Sequence, residues 1–323
     1  MSVNARIAST GSYLPERVMT NAELEKLVDT TDEWIMTRTG IRERRIAAPE
    51  QTSLDLAEQA ALAAMEQGGF SADDIDLIVL ATCTPEKVFP STACLLQERL
   101  GIHGGAAFDV QAACAGFIYA FGTANSFIRS GMAKRALVIG SETMSRVIDW
   151  TDRGTCVIFA DGAGAVILEA TEEPGVLSTH LHADGAYKDL LEVPGWVSDD
   201  YDQGYDTAPY MKMKGNEVFK VAVRELGRSV EEALAANDME RDQVDWLIPH
   251  QANIRIINAV AKRLQLPEER VVKTIERHGN TSAASVPLAL DEAVRDGRIQ
   301  RGQVILLEAF GGGFAWGSAL AVF

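Results

Sequence analysis

Two stretches of this chain read alike at a spacing of 169 residues. Ile75–Thr82 runs IDLIVLAT and Val244–Gln251 runs VDWLIPHQ, each with the short apolar run of a buried strand. Their surroundings repeat as well. A helical pattern precedes each run; a helix, a strand, a turn, a second helix and another strand follow. Aligning the strands at Ala136 and Val304 gives 168, beside 169 for Ile75 and Val244. Such agreement implies an internal duplication into two α/β halves with mixed sheets, here divided as 1–172 and 173–323. Neither half covers both faces of its own sheet. The helices expected at 114–130 and 284–294 therefore pair between the sheets. That pairing sets the turn at Cys114 beside the turn at His278–Asn280, with His250, at its strand end, near both.

Cys114 stands inside Phe108–Gly131, FDVQAACAGFIYAFGTANSFIRSG. Phe117, Phe121, Ala124, Phe127 and Ile128 recur at helical spacing, and Tyr119 and Ala120 fill part of the remaining circumference, which marks a buried helix. The cysteine is placed where a strand turns into that helix. The free N–H groups of a first turn are expected to lower its thiol pKa. Ala112, Ala113, Ala115 and Gly116 leave room for a ligand to approach. The competing reading is a buried structural cysteine.

Composition narrows the function. A net charge of -16 with no long basic run speaks against nucleic-acid binding. The four cysteines, Cys83, Cys94, Cys114 and Cys156, make no CxxC pair, so zinc and iron–sulfur sites are not expected. The start MSVNARIASTGSYLP lacks the apolar core of a secretory signal. A charge-free apolar run of about 18 residues, as a membrane span needs, is missing too. The expectation is a cytoplasmic enzyme with reduced cysteines.

Along the chain, Asn21 is expected to cap a helix over 22–27, and a helix opening at Asp32 to end near Gly40. The basic segment 34–45 is either a solvated surface or a phosphate grip beside Trp34. Helices are expected over 53–67 and from Pro90-Ser91 to Leu100, the latter taking Cys94 into the core. Strands are expected over 156–159 and 164–168, joined by a tight turn at Asp161-Gly162. Periodicity fails over 183–214, which reads as a long functional loop.

Cys114, His250 and Asn280 all fall at strand ends or helix starts, where α/β folds place small-molecule sites. A neutral imidazole and a carboxamide can donate to one oxygen that gains negative charge, and the Gly311–Gly313 run offers unhindered N–H groups for a second. Two such holes suit a joining reaction with two successive oxyanions.

At these residues the chain resembles the 3-oxoacyl-[acyl-carrier-protein] synthase III family of the thiolase superfamily. The resemblance covers essentially the whole chain. It is carried by TDEWIMTRTGIRERR at 31–45, the Cys114 stretch, TDRGT at 151–155, GNEVFKVAV at 215–223, HQANIRII at 250–257, HGNTSAASVP at 278–287 and GGGFAWG at 311–317. It implies a thiolase-like duplicated five-layer αβαβα sandwich, a homodimer, and no permanently bound cofactor. It implies that Cys114 takes the acyl group of a short acyl-CoA, most simply acetyl-CoA, and that malonyl-acyl carrier protein then loses CO2 and condenses with it. His250 and Asn280 would hold the enolate-like oxygen, and the N–H groups of Cys114 and Gly312 the other oxyanion. Trp34 and Arg153 would sandwich the adenine of CoA, with Thr30, Arg38 and Asn253 on the rest of it. Lys220, Arg255, Lys262 and Arg263 would face acyl carrier protein, and Phe89 the acyl pocket of a partner subunit. Arg255 and Lys262, seven residues apart, share a helix face in any case, and a local basic face on so acidic a chain suits an acidic partner.

Four other chemistries fit less well. A biosynthetic thiolase needs a second reactive cysteine, and none follows Cys156. Elongating condensing enzymes use two histidines where this chain offers His250 and Asn280. A hydroxymethylglutaryl-CoA synthase needs a catalytic glutamate, for which Glu86 is the candidate. A Cys-His-Asn hydrolase would not need two glycine-backed holes. A relative taking a longer or branched acyl group, or a different acceptor, stays open.

Overall fold

The computed structural model describes residues 3–194 and 210–323. The central part of the segment read as a functional loop therefore lies outside the described residues. Of its flanks, Gly185–Leu190 is a 3-10 helix, and two short strands pair nearby.

The strands, in chain order, are β1 (Asn4–Tyr13), β2 (Arg17–Thr20), β3 (Glu43–Ile46), β4 (Leu77–Ala81), β5 (Ala106–Val110), β6 (Arg135–Thr143), β7 (Asp161–Thr171), β8 (Val176–Ala183), β9 (Leu191–Glu192), β10 (Lys212–Met213), β11 (Trp246–Pro249), β12 (Val304–Gly311) and β13 (Ala315–Val322). The helices are α1 (Asn21–Leu24), α2 (Asp32–Thr39), α3 (Ser53–Gly68), α4 (Thr92–Arg99), α5 (Gly116–Arg129), α6 (Arg153–Cys156), α7 (Gly215–Ala235), α8 (Ile254–Leu264), α9 (Ile275–His278) and α10 (Ser285–Arg295).

One sheet has the order β1-β7-β6-β4-β5 and the other β8-β13-β12-β11. Equivalent neighbours run in the same sense: antiparallel, antiparallel, then parallel. Val271 bridges to Leu247 in parallel where the first sheet has β5, so a single bridge stands in place of a fifth strand. Leu77 pairs with Ala136 and Trp246 with Ile305, so one shift of 169 residues carries both members of the first pair onto the second. The offset of 168 read from the sequence was one residue short. The shift also carries the 3-10 turn Ala113–Ala115 onto Ser282–Ala284, and the start of α5 onto that of α10.

Between the sheets lie α5 and α10, each packed against strands of both. Phe117, Ile118, Phe121, Val286, Ala289 and Leu290 join residues of the two inner sheet faces in one buried cluster. A second cluster lies under α3 and α4, a third under α7 and α8. The layers are thus helix, sheet, helix, sheet, helix. Small residues let them close. A Cβ on Gly140 of β6 would sit 2.3 Å from the Ala283 carbonyl oxygen, so only glycine admits the 282–284 turn at that depth.

Several local expectations change. Thr20, not Asn21, caps α1, because the Asn21 carboxamide is drawn inward to Asp32, the Ile41 carbonyl and Arg44. Residues 153–156 are helical, since Asp152 caps them through the Gly154 N–H. Asp161-Gly162 is not a turn but the start of β7. The buried Asp161 carboxylate accepts from the Ala47 and Ser145 N–H groups and the Ser145 hydroxyl, which fixes it within the sheet. Cys94 is exposed rather than core. It sits on α4 beside β5, which has no strand on its outer edge among the described residues, so that flank of the helix is uncovered.

Candidate active site

Cys114 occupies the 3-10 turn that opens α5 and is 6% exposed. Its turn touches the equivalent turn at Ser282–Ala284. Ala113 and Ser282, equivalent under the shift, both take left-handed backbone angles, φ 46° and 51°. A Cβ on Gly311 would lie 2.5 Å from the Cys114 nitrogen. The glycine segment is therefore laid directly on the nucleophile's turn, with Gly312 beside Ala113 and Leu191.

Two cavities meet at Cys114. One, of about 390 Å³, is lined by His250 and Asn280 and continues to Trp34, Arg38, Asn253, Phe219 and Arg255. The other, of about 720 Å³, is lined by Cys83, Gln111, Ser282, Gly312 and apolar side chains such as Met144 and Met211. The three residues singled out in the sequence are thus brought to one place.

Their environments define their states. Burial pushes the Cys114 thiol up to about 12, and the nearby Glu142 carboxylate adds to this; hydrogen bonds from Ser282 and the Cys114 N–H act the other way and do not offset it. The expected low pKa is overturned. The turn faces protein rather than water, and desolvation of the thiolate outweighs a few aligned N–H groups. Burial likewise lowers His250 to about 3, so the ring is neutral. Its Nδ1 lies 2.5 Å from Ser285 Oγ, which also accepts from the Gln251 N–H. A serine hydrogen directed at Nδ1 would put the ring proton on Nε2, the tautomer that can donate into the cavity. Asn280 is held by its backbone between Ile158 and Ala160. Its Oδ1 accepts from the Ser282 N–H at 2.9 Å, which orients the carboxamide and leaves Nδ2 as a donor.

Further out, Arg153 and Arg38 lie over the Trp34 ring, at 4.7 and 5.5 Å. The Arg153 guanidinium thus already covers a face of that ring. Asn253 caps α8 through the Arg255 N–H and donates to the Arg38 carbonyl. Thr30 lines neither cavity, and its Oγ1 is buried without a partner among the described residues. Arg255 lies over Phe219 at the cavity mouth, and Lys220 and Lys262 are exposed. Arg263 is instead turned to Glu231 of α7, bonded through Nε and Nη2. Phe89 is 82% exposed and lines neither cavity of its own chain. Glu86 accepts from the Leu54 N–H and the Thr92 hydroxyl and so braces its loop. The basic segment is neither a plain surface nor a uniform grip: Arg44 is fully buried on Met19, Asn21 and Val157. Sequence reasoning missed Ser282, Ser285 and Glu142. The signal for Glu142 was a lone carboxylate ending an apolar strand.

A duplicated five-layer fold with a cysteine, a histidine and an asparagine gathered on its inner helices defines a thiolase-fold enzyme. The sequence model described as "3-Oxoacyl-[acyl-carrier-protein (ACP)] synthase III" matches residues 108–185, and that of its C-terminal part residues 234–323. The beta-ketoacyl-[acyl-carrier-protein] synthase III of Thioalkalivibrio sulfidiphilus is 63% identical over 319 residues, 99% of each chain. The solved 3-oxoacyl-[acyl-carrier-protein] synthase III of Aquifex aeolicus superposes with TM-score 0.93 at 49% identity, over 99% of this chain and 100% of that one. That of Pseudomonas aeruginosa does so with TM-score 0.92 at 42% identity, over 99% and 98%. The chain belongs to the 3-oxoacyl-[acyl-carrier-protein] synthase III family.

Proposed function

We propose that this enzyme joins a short acyl group, taken from acyl-CoA, to malonyl-acyl carrier protein with loss of CO2, giving 3-oxoacyl-acyl carrier protein and free CoA. Cys114 is the nucleophile. Its sulfur attacks the thioester carbonyl, and the N–H groups of Cys114 and Gly312 hold the oxyanion. CoA leaves, and malonyl-acyl carrier protein enters through the same cavity. Decarboxylation makes the carbanion without a strong base. His250 Nε2–H and Asn280 Nδ2–H hold the enolate oxygen, and the carbon attacks the acyl-cysteine. The observation that carries this reading is the meeting at one sulfur of two neutral donors on one side and a glycine segment on the other.

Trp34, Arg38, Arg153 and Asn253 line the route for CoA, with Thr30 behind it. Lys220, Arg255 and Lys262 form the face for acyl carrier protein, and Arg263 joins it once released from Glu231. Two copies pair along the free edge of β5, and Phe89 enters the partner's larger cavity. The halves 1–172 and 173–323 are the units of the duplication, and the enzyme works in the cytoplasm. No helix among the described residues is long and apolar enough to cross a membrane. The 720 Å³ of the larger cavity favours one variation: a donor longer or more branched than acetyl where the partner's Phe89 leaves space.

Incubation with radiolabelled acyl-CoAs of graded length, with C114A as control, tests the reading. Label on Cys114, followed by CO2 and 3-oxoacyl product on adding malonyl-acyl carrier protein, is expected. Label without condensation, or no label from any donor, refutes it.

A further inference from the structure

The two donors assigned to the enolate oxygen stand on separate parts of the chain. His250 follows β11 directly, and Asn280 comes two residues after α9. In the first half, β4 is flanked by β5 along its whole length, from Leu77 opposite Ala106 to Ala81 opposite Val110. Beside β11 there is one bridge, Leu247 to Val271. Past that bridge a side chain joins the two segments. Gln251, next to His250, is fully buried. Its Nε2 donates to the Pro249 carbonyl at 2.7 Å and the Val272 carbonyl at 3.1 Å. Its Oε1 accepts from the Thr274 N–H at 2.9 Å and the Ile275 N–H at 3.1 Å. Both amide hydrogens and both lone pairs are thus used, and only this orientation of the carboxamide suits two accepting and two donating partners.

These bonds fall where α9 begins. Thr274 precedes that helix but gives it no side-chain cap, and its Oγ1 is without a partner among the described residues. Gln251 Oε1 takes the place of the cap on N–H groups that a helix start leaves free. From there to Asn280 the path is short and bonded. The His278 N–H donates to the Thr274 carbonyl and the Gly279 N–H to the Ile275 carbonyl, each at 3.0 Å. On its other side, the Gln251 N–H donates to Ser285 Oγ at 3.3 Å, the same oxygen that meets His250 Nδ1. Gln251 lines neither cavity.

We propose that Gln251 is a positioning residue for decarboxylation: its carboxamide fixes the spacing of His250 and Asn280, so that both donate to one oxygen. This rests on the reading of those two residues as the paired enolate donors. Two donors serve one oxygen only when each lies about 3 Å from the same point. The Asn280 backbone is already held by Ile158 and Ala160. The freedom that Gln251 removes is therefore that of the His250 strand end relative to it. None of the Gln251 bonds reaches the Cys114 turn or the glycine segment, so acyl transfer to the cysteine does not draw on them.

CO2 release from malonyl-acyl carrier protein and labelling of Cys114 by acyl-CoA, measured separately on the intact enzyme, test the proposal. Gln251→Met keeps the length of the side chain without its amide. It should lower kcat for CO2 release by about tenfold to a hundredfold, with KM within about twofold. Labelling should stay within about threefold of wild type, since its donors are untouched. Gln251→Glu keeps the acceptor for α9 but sets an oxygen against the Pro249 and Val272 carbonyls. It should show the same split, and carries the test should the methionine variant not fold. Either change added to Asn280→Ala should cost no more than about a further threefold in CO2 release, because one remaining donor has no spacing to keep. A merely structural glutamine would multiply the two losses and slow labelling as well. CO2 release at the wild-type rate by a folded Gln251 variant, equal losses in both steps, or fully multiplying losses overturn the positioning role. Wild-type CO2 release by His250→Ala and Asn280→Ala would instead remove the donor assignment on which it rests.

Discussion

Replacing Gly311 by alanine tests whether the glycine segment sets the position of the nucleophile. The added Cβ would lie 2.5 Å from the Cys114 nitrogen, 3.0 Å from the Ala115 nitrogen and 3.1 Å from the Ala113 Cβ. Ordinary contact begins near 3.4 Å, so the 113–115 turn or the segment must retreat by about 1 Å. Two of the three obstructing atoms are backbone, and no rotamer relieves them. Overpacking of this kind costs about 1–3 kcal/mol of stability. The chemical cost is larger in proportion, because the displaced turn carries both the sulfur and one oxyanion donor. A misplacement of about 1 Å costs on the order of a hundredfold in rate, and a lost oxyanion donor about 3 kcal/mol. Single-turnover labelling of Cys114 should fall by two to three orders of magnitude in Gly311→Ala, on those figures, with the fold retained in thermal melts. Decarboxylation of malonyl-acyl carrier protein, which draws on His250 and Asn280, should fall far less. Gly185→Ala, with no atom of the described residues within 4 Å of its added carbon, serves as the control. Acylation of Gly311→Ala within about threefold of wild type would refute the argument, since the expected loss is some hundredfold.

His250→Ala and Asn280→Ala should each keep acyl-cysteine formation and lose decarboxylation by roughly a hundredfold, read as CO2 release; loss of acylation alone would reverse the assigned roles. Arg255→Glu should raise the KM for malonyl-acyl carrier protein more than that for acyl-CoA, and equal effects would count against the basic face. Glu308 is fully buried, neither carboxylate oxygen has a hydrogen-bond partner among the described residues, and burial raises it to about 8. A carboxyl raised on folding favours the folded state less as pH climbs from its unfolded value near 4.5 toward 8. At pH 7 the penalty is about 3 kcal/mol, so Glu308→Gln should raise Tm more at pH 8 than at pH 5. A Tm gain independent of pH would show that the carboxyl does not titrate between its unfolded and folded values.

The duplication was legible because apolar strands cannot hide their pattern. IDLIVLAT and VDWLIPHQ mark equivalent strands, and the paired registers bear this out. Cys114, His250 and Asn280 were legible as a group for the same reason: equivalent strand ends must meet where the two inner helices begin. What the sequence hid were effects of depth. The low pKa expected for Cys114 followed from its place before a helix, but its 6% exposure decides otherwise. Asp161-Gly162 has the composition of a turn, and only the three donors gathered from Ala47 and Ser145 make it the start of a strand. Cys94 lies in an apolar pattern, yet the free edge beside it leaves it exposed.

The duplication also explains why the site needs both copies of one turn. Under the shift of 169, Ala113-Cys114 corresponds to Ser282-Ala283, on the same left-handed backbone. In one copy the chemistry sits on the second residue, as a thiol; in the other it sits on the first, as a hydroxyl. Contact of the two turns therefore pairs unlike groups, which identical copies could not do. His250 corresponds to Ala81 in the first half, whose methyl lies 3.0 Å from the Cβ that Gly116 lacks. The first half thus offers only a methyl at that strand end, and the imidazole stands in the second. Replacing Ala283 by cysteine would place a second thiol at the equivalent depth, but without the overlying glycine segment and without His250 facing it. Such a C114A/A283C enzyme should therefore take no acyl label. If it did, position in the turn alone would suffice, and the asymmetry argued here would be irrelevant to catalysis.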